Sequence, residues 1–204
     1  YPTDAPSQVH YLCEDSTTSI LFVEDDEQLD KALEVRAQCS TLRKIVVMDM
    51  EGLRGLDDPD VISLDALRAL GRTYNAANPN AVTQRSANCK PEDLAILVYT
   101  SGTTGKPKGV QRDTGGYTVA LAASMKHIFC GNPGETFFST SVIGWVVGHS
   151  YIIYGPLIAG MATIMYEGLP TRPDGGIWWS LVEKYKVTVM FSAPTAVRVL
   201  KKQD

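Results

Sequence analysis

Short apolar runs rich in β-branched residues recur along this chain, and segments with helical spacing lie between most of them. Ser19-Ile20-Leu21-Phe22-Val23, Lys44-Ile45-Val46-Val47-Met48 and Leu94-Ala95-Ile96-Leu97-Val98 are of strand length. So are Thr136-Phe137-Phe138-Ser139, Ala162-Thr163-Ile164-Met165 and Val187-Thr188-Val189-Met190-Phe191. Asp26 to Gln38 carries Leu29, Leu33 and Val35 on one helical face, and Ser63 opens a helix with Leu64, Leu67 and Leu70. Parallel neighbours need a crossover long enough to hold a helix, so this alternation implies an α/β fold of largely parallel sheets flanked by helices.

Smaller signals fill the frame. Ser7 is placed to cap a first helix through about Glu14, with Val9, Leu12 and Cys13 inward. Thr73 to Cys89 is polar and Asn/Ala/Ser-rich, and reads as a surface connection. Asp113 or Thr114 caps a helix of small residues that ends near Cys130-Gly131. Thr140 to Val147 reads as a loop, and His149 to about Ala159 as a helix. A helix with Trp178, Leu181, Val182 and Tyr185 comes after the turn Glu167 to Asp174, and a last one spans Thr195 to Lys202.

Charge and cysteine content narrow the function classes. A net charge of −4 gives no electrostatic reason to expect nucleic acid or an anionic membrane as partner. Val146 to Tyr166 is the most apolar stretch, but Gly148, His149, Ser150, Gly155, Pro156 and Gly160 interrupt it, so no integral membrane segment is expected. The chain begins at Tyr1 and shows no basic-then-apolar leader, which fits a soluble cytoplasmic protein. Cys13, Cys39, Cys89 and Cys130 form no Cys-x-x-Cys pair and read as scattered reduced thiols; with only three histidines present, no metal site is expected.

The stretch that carries chemistry is Tyr99-Thr100-Ser101-Gly102-Thr103-Thr104-Gly105-Lys106-Pro107-Lys108-Gly109. Glycines let backbone amides turn onto an anion, hydroxyls add donors, and lysines add charge. The spacing Gly102-x-x-Gly105-Lys106 with Pro107 directly after it differs from a P-loop, which runs straight into a helix. Proline disfavours helix at Lys106, so the residues past the glycines stay a loop able to fold over phosphates.

This loop resembles the signature of the adenylate-forming superfamily, which includes acyl-CoA synthetases, peptide-synthetase adenylation domains and luciferases. The likeness to the acyl-CoA ligase branch runs over essentially the whole chain. Residues 1–98 resemble long-chain fatty-acyl-CoA ligases and residues 110–204 resemble propionate- and acetate-CoA ligases, as in a mosaic joined at the shared loop. The resemblance implies that residues 1–204 are a fragment of the large N-terminal AMP-binding domain, with the C-terminal domain absent. It further implies that Thr100, Ser101, Gly102, Thr103, Thr104, Gly105, Lys106 and Lys108 hold the nucleotide phosphates, with ATP, Mg²⁺ and coenzyme A as cofactors and a small carboxylate as substrate.

A second stretch, Ser141-Val142-Ile143-Gly144-Trp145-Val146-Val147-Gly148-His149-Ser150-Tyr151, lies just past a strand end, where ligands collect in open α/β sheets. By its residues alone it reads equally as an apolar pocket wall or as a core turn with His149 a satisfied structural histidine. It is similar to the acyl-site segment of short-chain ligases, which implies that Trp145, Val146 and Val147 line the acyl pocket and that His149 lies beside the carboxylate. His149 and Lys106 are then the candidate catalytic residues. The pattern departs at Val142, where those ligases carry Asp. Ser192-Ala193-Pro194-Thr195 after the last strand is also similar to these enzymes, although Pro-Thr is equally a plain helix start. The reaction implied is carboxylate attack on the α-phosphate of ATP, then transfer of the acyl group to the coenzyme A thiol. Other readings are an adenylation domain that loads a carrier protein, and a non-catalytic nucleotide-binding remnant.

Overall fold

The computed structural model describes residues 4–100 and 108–202. The chain divides into two compact units, residues 1–89 and residues 90–204.

In the first unit, β1 (Ile20–Val23), β2 (Lys44–Val47) and β3 (Val61–Ser63) form a parallel sheet in the order β1-β2-β3, with Ile20 opposite Lys44 and Ile45 opposite Val61. Helix α1 (Pro6–Asp15) packs on α2 (Asp26–Arg36). Asp25 caps α2 by accepting from the Gln28 amide at 3.0 Å, and Asp26 and Glu27 add negative charge to its first turn. The helix then presents Leu29 and Ala32 to Val23, Ile45, Val47 and Val61, all buried. Past β3, α3 (Leu64–Ala77) is capped by Ser63, and α4 (Ala81–Ala87) comes next.

Several expectations change here. The cap of α1 is not Ser7: the helix starts at Pro6, and the Ala5 amide donates to Gln8 Oε1 at 2.9 Å. Proline needs no amide partner at a first helical position, which moves the start back. Residues 73–89 are the expected surface connection, but a helical one, made of the end of α3 and all of α4. Their Ala, Gln and Arg content favours helix, and only Asn78-Pro79-Asn80 interrupts it. The segment is nevertheless almost wholly exposed, as its polarity implies. The cysteines are not all scattered: Cys13 and Cys39 are buried together with Val35 in one cluster. Burial, first of all, pushes the Cys13 thiol up to about 11, and Cys39 and Glu14 push the same way.

In the second unit, β4 (Leu94–Thr100) pairs antiparallel with β5 (Lys108–Asp113), with Thr100 opposite Lys108. The run from Leu94 is apolar throughout, yet only Val98 of it is buried; Leu94 is 52% exposed. A two-stranded hairpin covers only part of its surface, and that is the reason. Nor does the chain stay a loop after Pro107, because from Lys108 the backbone finds a ladder partner in β4.

Asp113 accepts from the Gly116 amide and starts α5 (Thr114–His127). A second sheet, all parallel, has the order β7-β6-β8, with β6 (Thr136–Ser139) between β7 (Ala162–Ile164) and β8 (Val187–Phe191). Successive strand residues point to opposite faces. Phe137 accordingly packs with Met125, Phe129 and Met161, while Phe138 meets Tyr166 and Trp178 edge-on across the other face. Both phenylalanines are fully buried, and each contributes roughly 2–3 kcal/mol. Helix α8 (Ile177–Tyr185) carries Trp178 inward and leaves Trp179 57% exposed. Pro194, not Thr195, opens the last helix, α9 (Pro194–Leu200), with Ala193 at its cap.

Between β6 and β7 the chain makes one turn of α-helix, α6 (Val146–Gly148), then a π-helix over His149–Tyr154, then α7 (Gly155–Ile158). A plain helix was expected from His149. Pro156, four residues on from Ile152, has no amide to donate to its carbonyl, and that carbonyl accepts from Thr163 Oγ1 of β7 at 2.7 Å. Among the described residues, no helix is long and apolar enough to cross a membrane.

Candidate functional site

In an open parallel sheet, ligands gather beyond the carboxyl ends of the strands, where chain order reverses around a central strand. In the second unit that strand is β6, since β7 and β8 lie on its two sides. Its last residue, Ser139, is 2% exposed, and its hydroxyl oxygen has no hydrogen-bond partner. Next along the chain, Thr140 donates its amide to the Phe191 carbonyl at 3.0 Å and its hydroxyl to Ser192 Oγ at 2.8 Å. The ends of β6 and β8 are thereby joined, and a short row of hydroxyls, Ser139, Thr140 and Ser192, marks the sheet's carboxyl edge.

The loop beyond this edge is held tightly. The Trp145 amide donates to the Val142 carbonyl at 3.1 Å, and the His149 amide to the Trp145 carbonyl at 3.2 Å. At Gly148 a Cβ would sit only 2.4 Å from the Val142 carbonyl oxygen and 2.6 Å from Ile143 Cα. A residue without a side chain is required where the loop backbone lies flat against the helix. Trp145 is 56% exposed, Val142 and Ile143 are exposed, and Val146 and Val147 are half-buried. The turn thus leaves a patch of apolar surface uncovered at the strand end.

His149 begins the π-helix, which packs against β6. Its Nδ1 is buried without a partner, so the structural alternative of a satisfied core histidine does not hold at that nitrogen. A buried unpaired imidazole nitrogen is costly unless something else engages it.

The phosphate-loop candidates divide. Ser101, Gly102, Thr103, Thr104, Gly105 and Lys106 lie outside the described residues. Thr100 is the last residue of β4, opposite Lys108, which is exposed at the first position of β5. Arg112, a possible phosphate contact by its charge, instead stacks its guanidinium over the Tyr117 ring at 5.0 Å.

Sequence reasoning did not single out Ser139, Thr140 or Tyr117. The first two were legible as hydroxyls at a strand end. Tyr117 was not, because its hydroxyl meets Ser150, 33 residues along the chain. No described group of three or more His, Cys, Asp or Glu side chains is placed to hold a metal ion.

Comparison with known proteins adds a family-level match. The family model described as AMP-binding enzyme matches residues 1–204. The propionate–CoA ligase of Escherichia coli is 71% identical over 110 residues, which cover 54% of this chain and 18% of that protein. The acetyl-coenzyme A synthetase of Novosphingobium aromaticivorans is 38% identical over 185 residues, or 78% of this chain and 28% of that protein. Among solved structures, an acyl-CoA synthetase from Brucella canis superposes with a TM-score of 0.67 at 23% identity, covering 99% of this chain and 33% of that one, a likeness of fold alone. The chain therefore spans 18% and 28% of the two curated relatives named.

Proposed function

Because the chain belongs to the AMP-binding enzyme family, we propose that it is part of the large nucleotide-binding domain of an AMP-forming acyl-CoA ligase acting on a short carboxylate, propionate or acetate. The observation that carries the reading is the uncovered apolar turn Trp145–Val147, set just beyond the central strand of a parallel sheet, with the unpaired Nδ1 of His149 beside it. The wall takes the alkyl chain, and His149 offers its unpaired nitrogen near the carboxylate end.

Residues 100–106 and Lys108 grip the phosphates of ATP. Negative charge grows on the leaving pyrophosphate, and hydroxyl, amide and ammonium groups of this composition lower the barrier where they meet it. The donor set of this loop, hydroxyl, amide and lysine, suits phosphate oxygens, which would in turn carry Mg²⁺. When bound, the ion supplies charge neutralisation across the phosphates. The carboxylate attacks the α-phosphate and expels pyrophosphate, and the coenzyme A thiol then takes the acyl group from the adenylate, giving up its proton and releasing AMP.

The test is a thermal-shift titration of the 204-residue chain with ATP and Mg²⁺. A ligand at about 100 times its dissociation constant stabilises the native state by about 2.7 kcal/mol. We expect a concentration-dependent rise that Lys106→Ala reduces. No rise at millimolar ATP, or an equal rise in Lys106→Ala, overturns the nucleotide reading. The isolated chain should release no pyrophosphate with propionate, ATP and Mg²⁺, because it spans so little of its relatives.

A further inference from the structure

The turn proposed as the acyl wall is braced from outside the loop. The Val146 carbonyl accepts from Ser150 Oγ at 2.8 Å, and the same serine oxygen lies 2.9 Å from the hydroxyl of Tyr117 on α5. A serine hydroxyl has a single proton. Here that proton goes to Val146, so Tyr117 is the donor to Ser150, and the dipoles run one way from Tyr117 through Ser150 to Val146. Tyr117 is 8% exposed and Ser150 4%, so the bonds lie away from water and each carries the penalty of an unmade buried bond if broken.

The brace is itself fixed. Arg112 lies over the Tyr117 ring at 5.0 Å, and Tyr154 meets it edge-on with centroids 6.0 Å apart. Ser150 sits inside the π-helix, whose Ile152 carbonyl is tied to Thr163 of β7. A rigid helix and a strand thus hold the hydroxyl that holds the wall. Small residues of a turn do not keep a pocket to about half an ångström without such support.

We propose that Tyr117 and Ser150 are positioning residues that set the acyl-chain length the site accepts, by fixing the Val146 carbonyl and with it the side chains of Val146 and Val147. Neither touches substrate. The inference rests on the reading of residues 145–147 as the acyl wall. Without the relay the first turn loosens outward, the pocket deepens, and discrimination against a longer chain falls. One methylene in an apolar pocket is worth roughly 10- to 200-fold, so the range open to loss is large.

Two measurements test it. The first is amide hydrogen exchange on this chain. Tyr117→Phe should speed exchange at His149 to Ile152 by roughly tenfold, and Ser150→Ala by more, because the serine carries both bonds. Unchanged exchange in both variants overturns the relay. The second is selectivity, read in the E. coli propionate–CoA ligase carrying this chain's matching 110 residues in place of its own. The ratio of kcat/KM for propionate over butyrate should fall roughly fivefold in Tyr117→Phe and further in Ser150→Ala, mainly through KM for propionate. The double variant should be no worse than Ser150→Ala, since the two act as one unit.

A fall in melting temperature with the ratio unchanged makes the pair merely structural and overturns the proposal. If the unsubstituted chimera forms no propionyl-CoA, the acyl-wall reading fails and this inference with it. The exchange data separate that outcome from failure of the relay itself.

Discussion

Replacing Gly148 by alanine sets two effects of known sign against each other. The backbone at Gly148 is right-handed helical, with φ −61° and ψ −52°, a conformation alanine prefers. Propensity alone would therefore stabilise the variant by about 0.5–1 kcal/mol. The new Cβ would lie 2.4 Å from the Val142 oxygen and 2.6 Å from both Cα and O of Ile143. All three are backbone atoms, which cannot swing aside as a side chain does. Ordinary contact needs roughly 1 Å more, so residues 142–145 must retreat, and the 3.1 Å bond from the Trp145 amide to Val142 lies in the way. Overpacking costs about 1–3 kcal/mol and a lost backbone bond about 0.5–1.5 kcal/mol. The steric terms win, and the net loss is about 1–3 kcal/mol. Urea or thermal unfolding reads it, and for a unit near 115 residues each kcal/mol moves the midpoint by roughly 4 °C. Amide exchange at Trp145 should quicken in the same variant. A Gly148→Ala protein as stable as the parent or more so, with Trp145 equally protected, refutes the argument that the loop is seated by close backbone approach.

Packing and charge set the remaining outcomes. Phe137→Ala removes a fully buried ring from between β6 and the Met125, Phe129 and Met161 side chains and should cost about 3–5 kcal/mol by chemical denaturation, with unit 2 unfolding first. Asp25→Ala deletes the acceptor of the Gln28 amide and should cost about 1 kcal/mol, while Asp25→Ser should recover most of it. The Cys13 thiol titrates at 9.0 unfolded and about 11 folded, so the folded state holds the proton longer. Its contribution is fully present below pH 9 and is lost between pH 9 and 11, by up to about 2–3 kcal/mol. Stability measured across that window should fall less steeply in Cys13→Ala. Asp58 behaves in the opposite sense. The Asp60 amide first, and then Arg36, hold its carboxyl below the usual range. Stability from that pair is present at neutral pH and fades as acid protonates Asp58, and Asp58→Asn should flatten the acid limb of the stability–pH curve.

The sequence by itself determined what depends on neighbours in the chain. The caps Ser63 and Asp113 were legible because each bonds an amide three residues on, and the runs at 20–23, 44–47, 136–139 and 187–191 because a strand needs only its own side chains to declare itself. Hydroxyls and glycines at 100–106 were legible in the same local way as a candidate phosphate loop, whereas the turn at 145–147 read equally as a pocket wall or a core turn. Tertiary structure decided whatever required a distant partner. β5 became a strand only because β4 lies beside it, and the Ile152 carbonyl found its partner in Thr163, 11 residues on. Cys13 met Cys39, and Tyr117 met Ser150, across intervals no periodicity reports. Residue patterns encode what a segment can do. Which segments meet is settled by burial summed over the whole unit, so the braces behind the site emerge only once the chain has closed on itself.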